Sequence, residues 1–197
     1  NACQFCGSEY IIALVLRNSR DDPPSMIPET LREATRRFGD RPAFVTPRGW
    51  PISYADLDRV SDEVAVGLAR RGVAPGAVVA LVLPPGVEYL VTYLAAAKVG
   101  AITAGVNDRL AAPERAKVLE VADPALVVAA PGAAPDRGEV VETAPGADSL
   151  ADLLPHLRVA GAAPDPLPED PGRSVAIVFT SGTTGTPKGA LYGNRQL

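Results

Sequence analysis

Six uninterrupted apolar residues, Val78 to Leu83, closed by Pro84-Pro85-Gly86, limit the fold of this chain more than any other stretch. A run that long without alternation reads as a strand buried on both faces. After it, Val87 to Val99 is an alanine-rich helical stretch, and Ala101 to Val106 is apolar again. Strand, helix and strand in that order form a β-α-β crossover, which lays two strands parallel. The unit then repeats: Pro113 to Ala122 reads as a second crossover helix, Asp123-Pro124 as a turn and Ala125 to Ala129 as a third parallel strand. Repetition requires a parallel sheet with helices on both faces, so the expected class is α/β. A membrane span over Tyr89 to Val106 is a poorer reading. Lys98, its only charge, would sit past the midpoint at a cost of about 3 kcal/mol, and Gly100 and Gly105 interrupt it.

Upstream of the crossover, Ile27, Leu31, Ala34 and Phe38 share one helical face, with Pro28 in the first turn and Gly39 at the end. Pro42 to Val45 and Trp50 to Ile52 bracket Pro47-Arg48-Gly49 as a hairpin. Ser53 with Asp56 forms a capping pair, and Leu57, Val60, Val64 and Leu68 continue a second helix that Gly72 ends. Its charged residues Asp58, Arg59, Asp62 and Glu63 read as a solvated face. Residues 1–25 differ in character from the rest of the chain. Tyr10 to Leu16 is apolar but too short to span a bilayer, and it lacks the flanks of a signal peptide. Residues 1–25 are therefore expected to be a non-native or disordered leader, with Met26, the only methionine, as the native start. Mass spectrometry of the expressed N-terminus tests that expectation.

Composition narrows the function. A net charge of -4 over 197 residues and few aromatics give no footprint for nucleic acid. Cys3 and Cys6 make a lone C-x-x-C, and the single histidine, His156, is far from it, so neither a four-ligand zinc site nor a disulfide framework is available. This usage fits a reducing, cytoplasmic compartment. Residues 131–173 are rich in proline and alanine and read as a surface connection, with a short edge strand at Glu139 to Val141 and a weak helical patch at Ser149 to Leu154. His156 lies in that connection and reads as solvated.

The chain then returns to an apolar run, Val175 to Phe179, expected to be a strand buried on both faces, which empties into Thr180-Ser-Gly-Thr-Thr-Gly-Thr-Pro-Lys-Gly189. Glycines let backbone N–H groups approach a ligand, and the hydroxyls of Thr180, Ser181, Thr183, Thr184 and Thr186 can donate. Lys188 adds a positive charge and no carboxylate intrudes, a donor set that suits a polyphosphate. Three other motifs fail. A Walker loop counted from Gly182 needs glycine at 187, which is Pro187; a nucleophile elbow fails at Phe179; and G-x-G-x-x-G is absent. Ser181 is thus a binding hydroxyl and not a nucleophile.

Phe179 to Gly189 resembles the phosphate-binding signature of the AMP-forming adenylating superfamily: acyl-CoA synthetases, aryl and luciferase-type ligases, and adenylation domains of peptide synthetases. Ile52-Ser-Tyr-Ala-Asp-Leu57 and Ala97-Lys-Val-Gly-Ala101 are similar to two further motifs of that family, in the same order. The resemblance covers residues 26–197, about the first third of the family's catalytic unit. It implies the N-terminal part of a large acyl-CoA synthetase-like domain and a two-step ligase. A carboxylic acid attacks the α-phosphate of ATP to give an acyl-adenylate and pyrophosphate, and coenzyme A then takes the acyl group. By that resemblance Thr180, Ser181, Gly182, Thr183, Thr184, Gly185 and Thr186 bind the phosphates, Lys188 neutralises the departing pyrophosphate, and Mg2+ bridges the phosphates. The tail departs from the family: where many members place a histidine and an asparagine after the loop, this chain has Asn194 and Gln196. The adenine pocket, metal ligands and catalytic lysine of the family lie beyond Leu197, so no catalytic residue and no metal ligand is named. The expectation is an N-terminal fragment, inactive alone, with an exposed parallel sheet edge. Two alternatives stand beside it: another branch of the superfamily, a peptide-synthetase adenylation domain or aryl ligase, and a non-catalytic nucleotide-binding module.

Overall fold

The computed structural model describes residues 26–135, 138–180 and 187–196. The expected leader lies outside the described residues, as does the centre of the phosphate motif, residues 181–186. Helix α1 (Ile27–Phe38) starts with Pro28 in its first turn, where a missing amide costs nothing, and buries Leu31. Strands β1 (Pro42–Val45) and β2 (Pro51–Ser53) form the antiparallel hairpin. The second strand runs straight into α2 (Tyr54–Arg70), where the Ser53 hydroxyl accepts a hydrogen bond from the Asp56 amide at 3.0 Å. The capping pair read from the sequence is therefore the helix start.

The two crossovers are β3 (Val78–Val82), α3 (Val87–Lys98), β4 (Ile102–Gly105), and then α4 (Ala112–Ala122) and β5 (Leu126–Ala129). Strands β4 and β5 flank β3, each parallel to it. The edge strand is β6 (Val140–Glu142), parallel to β5. On the other side β7 (Ser174–Thr180) joins β4 in parallel, and β8 (Lys188–Gly193) pairs antiparallel with β7. The order is β6-β5-β3-β4-β7-β8. The chain thus leaves β3 in one direction through α3 and returns across it through α4, which puts the topological switch between β3 and β4.

Strand alternation sorts the core into two layers. Val79 and Leu81 of β3 and Leu126 and Val128 of β5 face α1, α2 and α3. Ala80, Val82, Val127 and Ala129 face α4 with Val118 and Leu119. One expectation fails at the β8 side of the sheet. Strand β7 is buried only at Val175 and Ala176, and Val178 is 48% exposed. The reason is its short seam: β7 pairs with β4 only at Ala176 and Ile177, because β4 ends at Gly105. At this edge the outermost strand is the antiparallel β8, whereas the opposite edge is the parallel strand β6.

The charged face of α2 is solvated only in part: Arg59 is exposed, Asp58 and Asp62 are half-buried, and Glu63 is buried. Lys98 is fully buried, and its ammonium donates to Asp58 Oδ1 at 2.5 Å, Asp62 Oδ1 at 2.7 Å and the Asp58 carbonyl at 2.8 Å. Glu63, also buried, pairs with Arg158 at 2.7 Å and with Arg59 at 3.3 Å, and accepts from the Gly161 amide at 3.0 Å. The long connection supplies this second cluster, and it also carries Leu153, Leu154 and Leu157 into the core. The helical patch expected at Ser149 to Leu154 is a series of turns. Leu154 takes φ 51°, left-handed backbone, before Pro155, which disfavours helix at the residue preceding it. Gly67 is where this strap meets α2: a Cβ there would lie 1.6 Å from the Leu157 carbonyl oxygen. Gly67→Ala is expected to cost about 1–3 kcal/mol by overpacking, read as a lower denaturation midpoint.

Candidate functional site

Ile177 and Phe179 pack with the cluster beneath α4, so Val178 and Thr180 point to the face that carries α3. Thr180 is the ladder partner of Lys188, and Val178 of Ala190. Paired residues share a face. The side chains of Thr180 and Lys188 therefore leave the same face from paired positions, both exposed, at the carboxyl edge of the parallel sheet. Ligands in doubly wound sheets bind along that edge. The structure brings these two of the expected phosphate-binding residues together; Ser181, Gly182, Thr183, Thr184, Gly185 and Thr186 lie outside the described residues. Lys188 is corrected in one respect. It is the first residue of a strand and not part of the loop, because Lys188 to Gly193 finds a partner in β7.

The base of the hairpin is closed by the tail. The Asn194 amide donates to the Arg173 carbonyl at 3.0 Å, its side-chain Nδ2 to the Asp170 carbonyl at 3.4 Å, and Gln196 Oε1 accepts from the Gly193 amide at 2.8 Å. The two amide side chains of the tail thus hold backbone at the end of the hairpin opposite Thr180. Met26 joins the same base, its sulfur accepting from the Asp170 amide at 3.3 Å.

Sequence reasoning missed the neighbouring switch point. The loops after β3 and β4 flank it, and Tyr89 from the first turn of α3 lays its hydroxyl where a Cβ on Gly105 would stand, 2.6 Å away. Burial pushes the Tyr89 phenol up, and burial together with Tyr89 does the same for Tyr93, so both remain protonated at neutral pH. The signal that could have found this position is strand order, which no single stretch encodes. His156 is exposed, and its carbonyl accepts from Arg71 at 3.0 Å. Among the described residues no cluster of three or more His, Cys, Asp or Glu side chains is placed to hold a metal ion. The exposed hydroxyl and ammonium, with no carboxylate in β7 or β8, fit a polyphosphate. No helix among the described residues is long and apolar enough to cross a membrane.

A doubly wound, mostly parallel sheet that ends in an antiparallel hairpin defines an α/β protein. Comparison with known proteins gives the family. A sequence profile described as AMP-binding enzyme matches residues 31–197, and the chain belongs to that family. It is 36% identical over 157 residues to 4-coumarate–CoA ligase 5 of Oryza sativa subsp. japonica, covering 76% of this chain and 29% of that protein. It is also 36% identical over 147 residues to cyclosporin synthetase simA of Tolypocladium inflatum, covering 73% of this chain and 1% of that protein. Among solved structures, a Mycobacterium tuberculosis fatty acyl CoA synthetase superposes with a TM-score of 0.69 at 30% identity, covering 85% of this chain and 34% of that one. The chain therefore spans less than a third of the plant ligase's length.

Proposed function

We propose that this chain is the N-terminal part of an AMP-forming carboxylate–CoA ligase, in which the β7–β8 hairpin holds the phosphates of ATP. The observation that carries the reading is Thr180 opposite Lys188 at the open end of that hairpin, bracketing the Ser181 to Thr186 segment. The Thr180 hydroxyl donates to a phosphate oxygen, and the Lys188 ammonium faces the charge that grows on pyrophosphate as it leaves. Residues 181–186 add N–H and hydroxyl donors. Bound to the phosphates, Mg2+ supplies further neutralisation of their charge. The carboxylic acid, ATP and coenzyme A are the substrates of the whole protein, and the similarity to a plant CoA ligase and a fatty acyl CoA synthetase supports an acyl or aryl acid. We place the protein in the cytoplasm and assign no reaction to the 197-residue chain alone.

Lys188→Ala in the complete protein is expected to slow carboxylate-dependent pyrophosphate exchange by about 10- to 100-fold, the loss of one charge-assisted contact. An unchanged exchange rate removes the role given to Lys188. A second reading, the adenylation domain of a peptide synthetase, has the similarity to cyclosporin synthetase in its favour. Both readings share the first step and differ in the thiol. Release of acyl-CoA on adding coenzyme A supports the ligase, and transfer only to a carrier-protein thiol supports the second. A non-catalytic module binds ATP without any exchange.

A further inference from the structure

Directly across the ladder from Phe179 stands Gly189, the residue after Lys188. A Cβ on Gly189 would lie 2.7 Å from Ile177 Cγ2 and 3.2 Å from Phe179 Cε1. Ordinary carbon contacts are about 3.5–4.0 Å, so both side chains have closed over the space a side chain at 189 would need. Each is held in place on its other side by the cluster beneath α4, and neither is free to swing outward without losing that packing. Strand β8 is held less firmly than β7, although α4 also approaches it. It is the outermost strand, with β7 as its only ladder partner among the described residues, and Leu191 on the same face is 58% exposed. A side chain at 189 is thus relieved by moving β8, and the first residue of β8 is Lys188.

We propose that Gly189 is a positioning residue for Lys188: its bare α-carbon lets Ile177 and Phe179 clamp β8 in the register that sets the ammonium beside Thr180. The clamp is a matter of strand geometry alone, whereas its value for phosphate binding rests on the function proposed above. It also accounts for glycine at a strand position, where the lack of a side chain ordinarily weakens pairing. Here the cross-strand side chains cover the glycine from the β7 side and supply the missing packing.

The experiment has two arms. In the full 197-residue chain with Cys3 and Cys6 replaced by serine, Thr180→Cys and Lys188→Cys introduce a thiol pair at facing ladder positions. Facing residues of antiparallel strands are close enough for a disulfide. Adding Gly189→Ala is expected to slow disulfide formation by about tenfold at equal folded fraction, and adding Ile177→Ala to that variant to restore the rate to within about twofold. Unchanged cross-linking with Gly189→Ala, or no restoration by Ile177→Ala, overturns the clamp. In the second arm the native side chains at 180 and 188 are kept and inorganic pyrophosphate is titrated by calorimetry. Gly189→Ala is expected to weaken binding by about tenfold, with recovery in the Ile177→Ala/Gly189→Ala pair. Cross-linking that falls while pyrophosphate affinity stays the same overturns the positioning role. If the unmutated chain binds no pyrophosphate while cross-linking follows the expected order, the clamp stands and the phosphate reading fails.

Discussion

Glu63→Ala is expected to lower the stability of the fold by about 3–5 kcal/mol, the cost of breaking a buried ion pair from one side. The side chain of Glu63 is 3% exposed, and its removal leaves Arg158 without its carboxylate and the Gly161 amide without an acceptor. Both belong to the strap that packs on α2, so the loss also loosens Leu153, Leu154 and Leu157. Urea denaturation reads the effect as a lower midpoint. A loss under about 1 kcal/mol, the value of an exposed pair, would show that the cluster is solvated in solution. The same carboxylate gives a pH dependence. Burial alone pushes Glu63 up, but the Gly161 amide and the Arg158 guanidinium outweigh it and hold the carboxyl below its ordinary value of 4.5. A carboxyl with a depressed folded pKa stabilises the fold above its unfolded pKa. That contribution is lost as pH falls through the depressed value. Midpoints measured from pH 7 to well below 4.5 should therefore fall less, in the range under 4.5, in Glu63→Gln than in the unmutated chain, since glutamine has no proton to gain.

The second large effect concerns Lys98. With Asp58→Asn and Asp62→Asn together, its buried ammonium keeps hydrogen-bond acceptors but loses both countercharges, and about 3–5 kcal/mol of stability is expected to go. Adding Lys98→Met to that pair is expected to recover most of the loss, because an uncharged chain of similar length removes the stranded charge. A triple variant no more stable than the double would mean that the aspartates act through something other than Lys98. Denaturation midpoints of the three variants decide it.

Lys98 also shows how far a linear reading reaches. The alanine-rich stretch Val87 to Val99 reads as a crossover helix with Lys98 as the lone charge of Tyr89 to Val106, and the structure has Lys98 on α3, buried. Its partners were visible only as charges on another helix, 36 and 40 positions earlier, and a charged stripe ordinarily faces water. Docking of α2 on α3 turns that stripe inward. Glu63 and Arg158 are 95 residues apart and meet because the strap packs on α2. The leucines of the strap, Leu150, Leu153, Leu154 and Leu157, stand at helical spacing, but Pro155 interrupts the stretch and proline and alanine surround it, so the pattern reads as a weak patch on a surface connection and not as a core segment. Strand β8 escaped because lysine and glycine, which open it, are depleted in strands.

By itself the sequence determined the crossovers, the parallel sheet, the helix starts and the resemblance of Phe179 to Gly189 to the phosphate signature of one superfamily, since each depends on neighbours a few residues away. Only the tertiary structure decided which charges are buried, that β7 is half bare, and that Thr180 and Lys188 share one face. Those outcomes depend on how elements distant in the chain are set against one another. Local propensity favours a helix or a strand but does not say which face another element will cover.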